Sequence, residues 1–407
     1  MKIYLVGGAV RDELLGLEVK ERDWVVVGAT PDEMLAEGFI PVGKFFPVFL
    51  HPDTKEEYAL ARIERKIAGG YHGFSFDTSK EVTLEEDLKR RDLTINAIAK
   101  SPEGEIIDPF DGRRTLKQKV LRHVSDAFVE DPVRVLRIAR FAARFASLGF
   151  TVAPETLALM KEMGETGELD HLVPERVWKE MSRALAEASP VAFIQVLRQS
   201  GALKIILPEI DRLYGVPQAL EHHPEKDTGI HIELVLGEAC KLSADSIVRF
   251  AALCHDVGKG LTPVECLPHH PGHEEKGASL VKAICKRLRV PNDYESLAYL
   301  VARYHGENYK IVKESPEKLL LFLEKCDALR KPTRFLQFLL ACEADFRGRP
   351  GYETAEFKPK AMALKVLNAA QSVKVQDVIS QLNNPGGQEI KAALFKARVK
   401  AIATVVK

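Results

Sequence analysis

Two acids at alternate positions, Glu21 and Asp23, lead into the apolar run Trp24–Val27, and a Gly7-Gly8 pair stands upstream after the short, mostly apolar run Met1–Val6. With a helix-like segment at Glu13–Leu17, the order reads strand, glycine turn, helix, strand. Side chains alternate along a strand, so the two carboxylates are expected to point the same way. Such a pair beside a glycine turn suits divalent ions and a nucleoside triphosphate. Mg²⁺ takes one or two carboxylates completed by phosphate oxygens and water. Two ions lower the pKa of an attacking hydroxyl and neutralise charge on a transferring phosphate. Gly8 lets the backbone approach the triphosphate, and Arg11 is placed to grip it. Taken alone, the acids read as solvated residues at a strand start; the glycine turn and the apolar strand favour metal.

Two arginine groups follow. Arg90-Arg91-Asp92 comes after Glu85-Glu86-Asp87, which reads equally as a salt-bridged helix start or as a place where Arg91 meets a phosphate or sugar hydroxyls. Glu130-Asp131-Pro132-Val133-Arg134 opens a helix with Asp131 as its cap. Arg134, Arg137, Arg140 and Arg144 then fall within an arc of about 120° at ~100° per residue. Val135, Ile138, Ala139, Ala142 and Phe145 take the other side. Four arginines with no acid among them repel each other on an idle face, so an anionic partner is favoured over a solvated one.

A second constellation lies further on. Cys254-His255-Asp256-Val257-Gly258-Lys259 ends an apolar helix; Asp227-Thr228-Gly229-Ile230-His231 precedes it, and His269-His270, His273, His305 and Asp345 follow. A lone histidine is usually a packing residue. An adjacent His-Asp pair with further histidines on neighbouring helices is better explained by a metal ion. Lys259 either steadies a phosphate or caps the helix end.

These groups need positioning elements. The chain has 407 residues, 46% hydrophobic and 29% charged, with zero formal net charge. It is globular and too long for one ordinary core. Contact with nucleic acid must use local basic faces. The cysteines form no C-x-x-C pair, against a disulfide framework or cysteine zinc site and in keeping with a reducing cytosol. No window approaches the ~18 apolar residues of a membrane span, and the amino terminus lacks a signal-peptide pattern, so a soluble cytoplasmic protein is expected. Candidate strands are Lys2–Val6, Trp24–Val27, Val48–Leu50, Glu57–Arg62 and Glu105–Asp108, with a mobile loop at Gly69–Gly73. From Pro132 on, strands all but disappear and helices are expected at 132–145, 154–163, 174–188, 190–200, 232–242, 248–256, 277–288, 294–305, 316–325 and 332–345. Several open with proline at a first-turn position. The expected class is an α/β head with a mixed sheet, followed by an all-α body. Its parts are a head over 1–140, a helical neck over 141–215, a histidine-rich domain over 216–346 and a helical tail over 347–407.

The motifs Gly7-Gly8-Ala9-Val10-Arg11-Asp12-x-Leu14-Leu15-Gly16, Glu21-x-Asp23, Arg90-Arg91-Asp92, Asp108-Pro109-Phe110-Asp111-Gly112 and Glu130-Asp131-x-x-Arg134 occur in one order. Together they resemble the bacterial (class II) tRNA nucleotidyltransferase and poly(A) polymerase family, over about residues 1–210. The family usually carries Asp where this chain has Glu21, which still offers a carboxylate. The resemblance implies template-independent building of tRNA CCA ends from CTP and ATP, with Mg²⁺ on Glu21 and Asp23. It makes Arg91, Arg137 and Arg140 nucleotide-binding residues, Asp131 and Arg134 the readers of the incoming base, and Glu64 a third catalytic carboxylate. Cytosine and adenine each show an amino donor beside a ring-nitrogen acceptor, which one carboxylate and one guanidinium satisfy. Uracil and guanine place a carbonyl where that donor is needed. Pro174-Glu175-Arg176 resembles the family's neck motif, with packing as its first role.

Residues 225–330 resemble the HD phosphohydrolase superfamily, with His231, His255 and Asp256 at the best-defined ligand positions and His305, then His273 and Asp345, as weaker matches. This implies a divalent metal, Ni²⁺ or Mg²⁺, and a metal-activated water acting on phosphoesters as a phosphatase and 2′,3′-cyclic phosphodiesterase. A degenerate HD domain kept for packing is the alternative. Bacterial poly(A) polymerases of the family normally lack an HD part, so the fusion favours CCA addition over poly(A) addition; an RNA-binding protein with HD phosphohydrolysis alone is the other reading. The sequence leaves the oligomeric state open.

Overall fold

The computed structural model describes residues 1–42, 48–66, 74–221 and 223–406, with the backbone alone at 64–66 and 74–76. The chain divides into two compact units, Met1–Ile206 and Leu207–Lys407.

The first unit is built on β1 (Lys2–Val6), β2 (Asp23–Val27), β3 (Ile40–Val42), β4 (Val48–Leu50), β5 (Glu57–Leu60), β6 (Ile63–Lys66), β7 (Phe74–Asp77), β8 (Ala99–Lys100) and β9 (Ile106–Ile107). Seven of them form one mixed sheet in the order β3-β4-β5-β2-β1-β8-β9. β2 runs antiparallel to β1 and parallel to β5; β6 and β7 pair apart from it as a hairpin. Alternation along β2 feeds two cores. Val25 packs with Val6, Leu88 and Ala97 on one face, and Val26 with Met34, Phe49 and Leu60 on the other. Among these strands, β3, the β6–β7 hairpin and β8 escaped the sequence pattern, because strands of two to four residues seldom carry enough residues for a period to show.

Beyond Pro132 the first unit is helical save for the two-residue strand Thr151–Val152. Helix Val133–Phe145 buries Val135, Ile138, Ala139, Ala142 and Phe145 and packs on Pro174–Ala186 and Pro190–Gln199. Prolines sit in the first turn of these two helices, where the missing N–H costs nothing.

The regular elements of the second unit are helices among its described residues, joined by loops and one Pro217–Asp227 bridge. Thr228–Leu242 begins four residues earlier than its apolar pattern suggests, because the Asp227 side chain accepts from Ile230 N–H. His231 thus sits on the first helical turn. Ser246–Cys254 hands over to a 3₁₀ turn at Val257–Leu261, and His273–Leu288 likewise starts four residues ahead of expectation, at His273 itself. Asn292–Asn308 and Pro332–Arg347 complete the bundle, and Lys358–Gln371, Val375–Ile379 and Gly387–Val405 follow. No described helix is long and apolar enough to cross a membrane, and all six cysteines are free thiols.

The 3₁₀ turn meets helix His273–Leu288 through two glycines. A Cβ at Gly258 would strike the His273 carbonyl oxygen and lie 2.6 Å from the Gly277 nitrogen, both backbone atoms that cannot swing aside. Gly258→Ala is therefore expected to destabilise the protein by ~1–3 kcal/mol through overpacking, read as a lower urea midpoint by circular dichroism; an unchanged midpoint would show that the two backbones can separate freely.

Candidate active sites in the two units

Strand register builds the first site. Val6 of β1 lies opposite Asp23 of β2, and Asp23 opposite Glu57 of β5. The chain turns away at Gly7, whose φ of 70° is the left-handed conformation natural to glycine. A Cβ there would come within 2.9 Å of Arg91 Nη1. β2 starts at Asp23, so Glu21 lies in the segment before it. Alternation within one strand is therefore not what pairs the two acids: beyond Gly7, β1 has no backbone left to pair with residues 21 and 22. Both acids nonetheless line one cleft of about 940 Å³. Desolvation raises the Asp23 carboxyl, Arg91 and Arg137 oppose that rise, and the Glu21 charge adds to it. Glu57, one strand across in register, lines the same cleft and is the carboxylate that sequence reasoning missed. The Glu64 side chain and the glycine-rich run 69–73 lie outside the described residues.

Eleven lysines and arginines face seven acids among the described lining residues. Of the arginines expected to repel on an idle face, Arg137, Arg140 and Arg144 are held by acids from other elements. Arg137 donates to Asp92 (2.7 Å), Arg140 to Glu180 (2.6 Å) and Arg144 to Asp12 (2.9 Å). Arg91 donates to buried Asp87 (3.2 Å), which Arg90 also grips (2.7 Å). Arg11 is 2% exposed, bonded to Asp12 and Asn96 and stacked against Phe141 and Phe145. Its guanidinium lies against Gly8.

Asp131 accepts from Val133 N–H (3.1 Å), the capping role its position implies. Its carboxylate is also taken in a bidentate fork by Arg176 (3.0 and 2.7 Å). Arg176 thus does more than pack. Arg134 donates to the carbonyls of Ala127 and Arg90 and is 7% exposed.

The second unit gathers its histidines around Asp256. His255 Nε2 lies 3.2 Å and His231 Nε2 4.0 Å from Asp256 Oδ2, while His273 Nε2 and His305 Nε2 lie 3.3 and 3.5 Å from Oδ1. Asp345 Oδ1 approaches His231 Nε2 (3.2 Å) and His255 Nε2 (3.7 Å). So all six residues singled out in the sequence come together, His273 and Asp345 included. Each imidazole is oriented from behind: Nδ1 of His255, His273 and His305 faces the carbonyls of Ala252, His270 and Val301, and His231 Nδ1 faces Glu225 (2.8 Å). That pattern turns Nε2 inward, as metal-ligating histidines are held. The buried atoms His255 Nε2, His273 Nε2 and Asp256 Oδ1 have no hydrogen-bond partner. Unpartnered donors in so polar a pocket fit a metal ion.

Lys259 does not cap a helix. It is buried and bonds Asp256 Oδ2 and Gln218 (both 2.6 Å). Burial alone would lift the Asp256 carboxyl, but Lys259 and His255 hold it well below the usual range. Arg349 and His231 do the same for Asp345, which also accepts from the Tyr309 hydroxyl (2.9 Å). Desolvation pushes His305 down to about 4, leaving a neutral imidazole.

Three family models match in chain order: the Poly A polymerase head domain over residues 3–122, the probable RNA and SrmB-binding site of polymerase A over 149–214, and the HD domain over 228–331. The chain is 57% identical over 403 residues to the multifunctional CCA protein of Thioalkalivibrio sulfidiphilus, covering 99% of this chain and 98% of that one. It is 56% identical over 402 residues to that of Teredinibacter turnerae, covering 99% and 97%. The chain belongs to the multifunctional CCA protein family. The fold is that of solved CCA-adding enzymes. That of Bacillus stearothermophilus in complex with CTP matches at TM-score 0.63 and 25% identity over 99% of this chain and 88% of that one. That of Thermotoga maritima complexed with tRNA matches at TM-score 0.63 and 20% identity over 100% and 88%. The head, RNA-binding and HD parts of the family thus take up the mixed sheet, the helices after it and the histidine cluster respectively.

Asp92 shows how the arginine wall depends on its acids. It is 6% exposed; burial would raise its carboxyl, but Arg137 and Asn96 hold it well below the ordinary range. Its folded pKa is therefore below its unfolded one. The stabilisation is complete above about pH 4–5 and fades as pH falls below the unfolded value toward the folded one. Asp92→Asn should lower stability by ~1–3 kcal/mol at pH 7 and flatten the decline of the urea midpoint between about pH 5 and 3. Parallel wild-type and variant pH profiles would contradict this.

Proposed function

We propose that the protein builds and repairs the 3′-terminal CCA of tRNA from CTP and ATP, and that its HD domain hydrolyses phosphoesters as a phosphatase and 2′,3′-cyclic phosphodiesterase. The observation that carries the first part is one cleft in which Glu21, Asp23 and Glu57 face an acid-anchored wall of arginines. The relatives named for CCA addition, and solved CCA-adding enzymes holding CTP or tRNA, support it.

In this reading Glu21 and Asp23 hold Mg²⁺, with Glu57 beside them. Mg²⁺ held there would lower the pKa of the attacking tRNA hydroxyl and neutralise charge on the α-phosphate. The residues of the chain do the positioning. Gly7-Gly8 lets the triphosphate approach the backbone. Arg11, Arg91, Arg137 and Arg140 hold the nucleotide, each fixed in advance by its acid, so little order is lost on binding. Asp131 and Arg134 select the base; engaging it requires the Asp131 carboxylate to leave part of its fork with Arg176. The helices after the head hold the tRNA through backbone and shape contacts. In the HD domain, His231, His255, Asp256 and His305 would hold a divalent ion, Ni²⁺ or Mg²⁺, whose chemistry would be to activate a water. Lys259 and Arg349 fix the charge of the two aspartates beside it. A reducing cytosol suits both activities and the free thiols.

Sequencing the products formed on tRNA lacking CCA, with all four nucleotides and Mg²⁺, tests the first activity. Exact C-C-A ends are expected, and Glu21→Ala with Asp23→Ala should lower incorporation by at least about 10³-fold, the scale of losing a transition-state charge stabiliser, while tRNA binding persists. A long adenine tail would instead mark a poly(A) polymerase. His255→Ala is expected to abolish hydrolysis of a 2′,3′-cyclic nucleotide and leave CCA addition at the wild-type rate. Loss of both together would refute separate sites.

A further inference from the structure

The second unit has a cavity that neither proposed activity uses. It holds about 480 Å³, and the helices His273–Leu288, Asn292–Asn308, Pro316–Lys325 and Pro332–Arg347 all contribute to its wall. None of the six residues of the histidine cluster lines it. Its size suits a ligand of a few tens of atoms.

Among the described residues, three cations, Lys282, Lys325 and Arg334, line it against one acid, Glu295. Two of the cations are fixed from outside. Lys325 is held by Glu307 (2.8 Å), and Arg334 donates to the carbonyl of Cys326 (3.1 Å). Asp327 stands 3.6 Å from Arg334 but is gripped by Arg330 (2.7 Å). The buried Nε of Arg334 has no hydrogen-bond partner. Lys282 is exposed and makes no ion pair among the described residues; its ammonium lies 4.6 Å from the centre of the Tyr299 ring. Tyr299 and Tyr304, both half-buried, supply the flat part of the wall. Cations face both rings: Arg303 and Lys325 lie 5.3 and 5.9 Å from the centre of Tyr304.

A bare anion would need the cations but not the rings, and an apolar ligand the rings but not the cations. Positive charge interleaved with aromatic faces suits a phosphate joined to a flat heterocycle, the pairing that base-stacking sites use. Glu295 repels a phosphate yet can accept from sugar hydroxyls. A strand would carry further phosphates past that acid, whereas a single nucleotide need not. We propose that this cavity binds one nucleoside monophosphate, with its phosphate on Lys282, Lys325 and Arg334, its base against Tyr299 and Tyr304 and its ribose hydroxyls on Glu295. The site lies wholly in the second unit, and it requires neither activity proposed above.

The test is photolabelling of the full chain with 8-azidoadenosine 5′-monophosphate, followed by peptide mapping, which separates this site from the head cleft. Label is expected on the peptides of Asn292–Asn308. Tyr299→Ala should raise the half-labelling concentration there by about 5- to 150-fold, and Lys282→Gln by about 10-fold. Lys282 is on the surface, so its variant decides the matter even where Tyr299→Ala fails to fold. AMP should displace the label, while inorganic phosphate or adenosine should each need at least about 10-fold more. Absence of label on this helix, label that AMP does not displace, or label that neither substitution weakens overturns the site. Displacement by phosphate or adenosine as readily as by AMP overturns recognition of the whole nucleotide. Displacement by penta-adenylate at lower concentration than AMP marks a surface for an RNA strand and overturns the mononucleotide assignment. Each of these failures leaves the readings of the head and the histidine cluster standing, because their residues lie elsewhere.

Discussion

The arginine wall rests on acids that anchor Arg91, Arg137, Arg140 and Arg144 before any ligand arrives. Coulomb repulsion among cations in one cleft would otherwise splay them into solvent. Here Asp92, Glu180 and Asp12, from elements far away in sequence, fix Arg137, Arg140 and Arg144 in turn, and Asp87 fixes Arg91 four residues on. Such pairs contribute little net stability, since desolvation offsets their attraction, but losing one partner is costly. Their consequence is preorganisation: the guanidinium forks are fixed along a cleft with more basic than acidic lining residues, an arrangement that suits an anion.

The HD cluster meets the opposite problem. Two buried carboxylates and four imidazoles need compensation inside a helical core, and backbone carbonyls supply it by tying Nδ1 of three rings. Those carbonyls lie three or four residues before their histidines, so local backbone geometry sets each tautomer. Lys259 and Arg349 keep Asp256 and Asp345 ionised despite burial. The helices bring the donors together, and the close backbone approach at Gly258 brings His273 within reach of Asp256.

Much of this was legible in the sequence where the information is local. Gly7-Gly8, the acids after it and His255-Asp256 are read from neighbours in the chain, and prolines mark helix starts to within a residue or two. What stayed hidden depends on distant pairing. Glu57 is unremarkable until parallel register sets it beside Asp23. Asp345 is separated from His231 by 114 residues, and its weight appears only when Pro332–Arg347 packs on Thr228–Leu242. The acids that answer Arg140 and Arg144 were invisible for the same reason: Glu180 sits 40 residues from Arg140 and Asp12 132 residues from Arg144. The helix pattern showed a basic face correctly and its isolation wrongly.

Arg176 shows why the distinction matters for chemistry. It occupies both oxygens of Asp131, the hydrogen-bond capacity that base selection would use. A carboxylate has about four acceptor sites, so a base donor can be added only if the fork rotates or loosens. Arg134 is bound in the same way, its guanidinium spent on two backbone carbonyls. Both groups are therefore satisfied when no nucleotide is present, and neither stands buried and unpaired while waiting for one. A base that matches both can repay the exchange of partners. One that offers an acceptor to Asp131 cannot, because it would leave the carboxylate facing another acceptor in a desolvated cleft. In the proposed reading, selectivity would come from the bonds a wrong base breaks without replacing, and the pairs seen without nucleotide would be part of that discrimination.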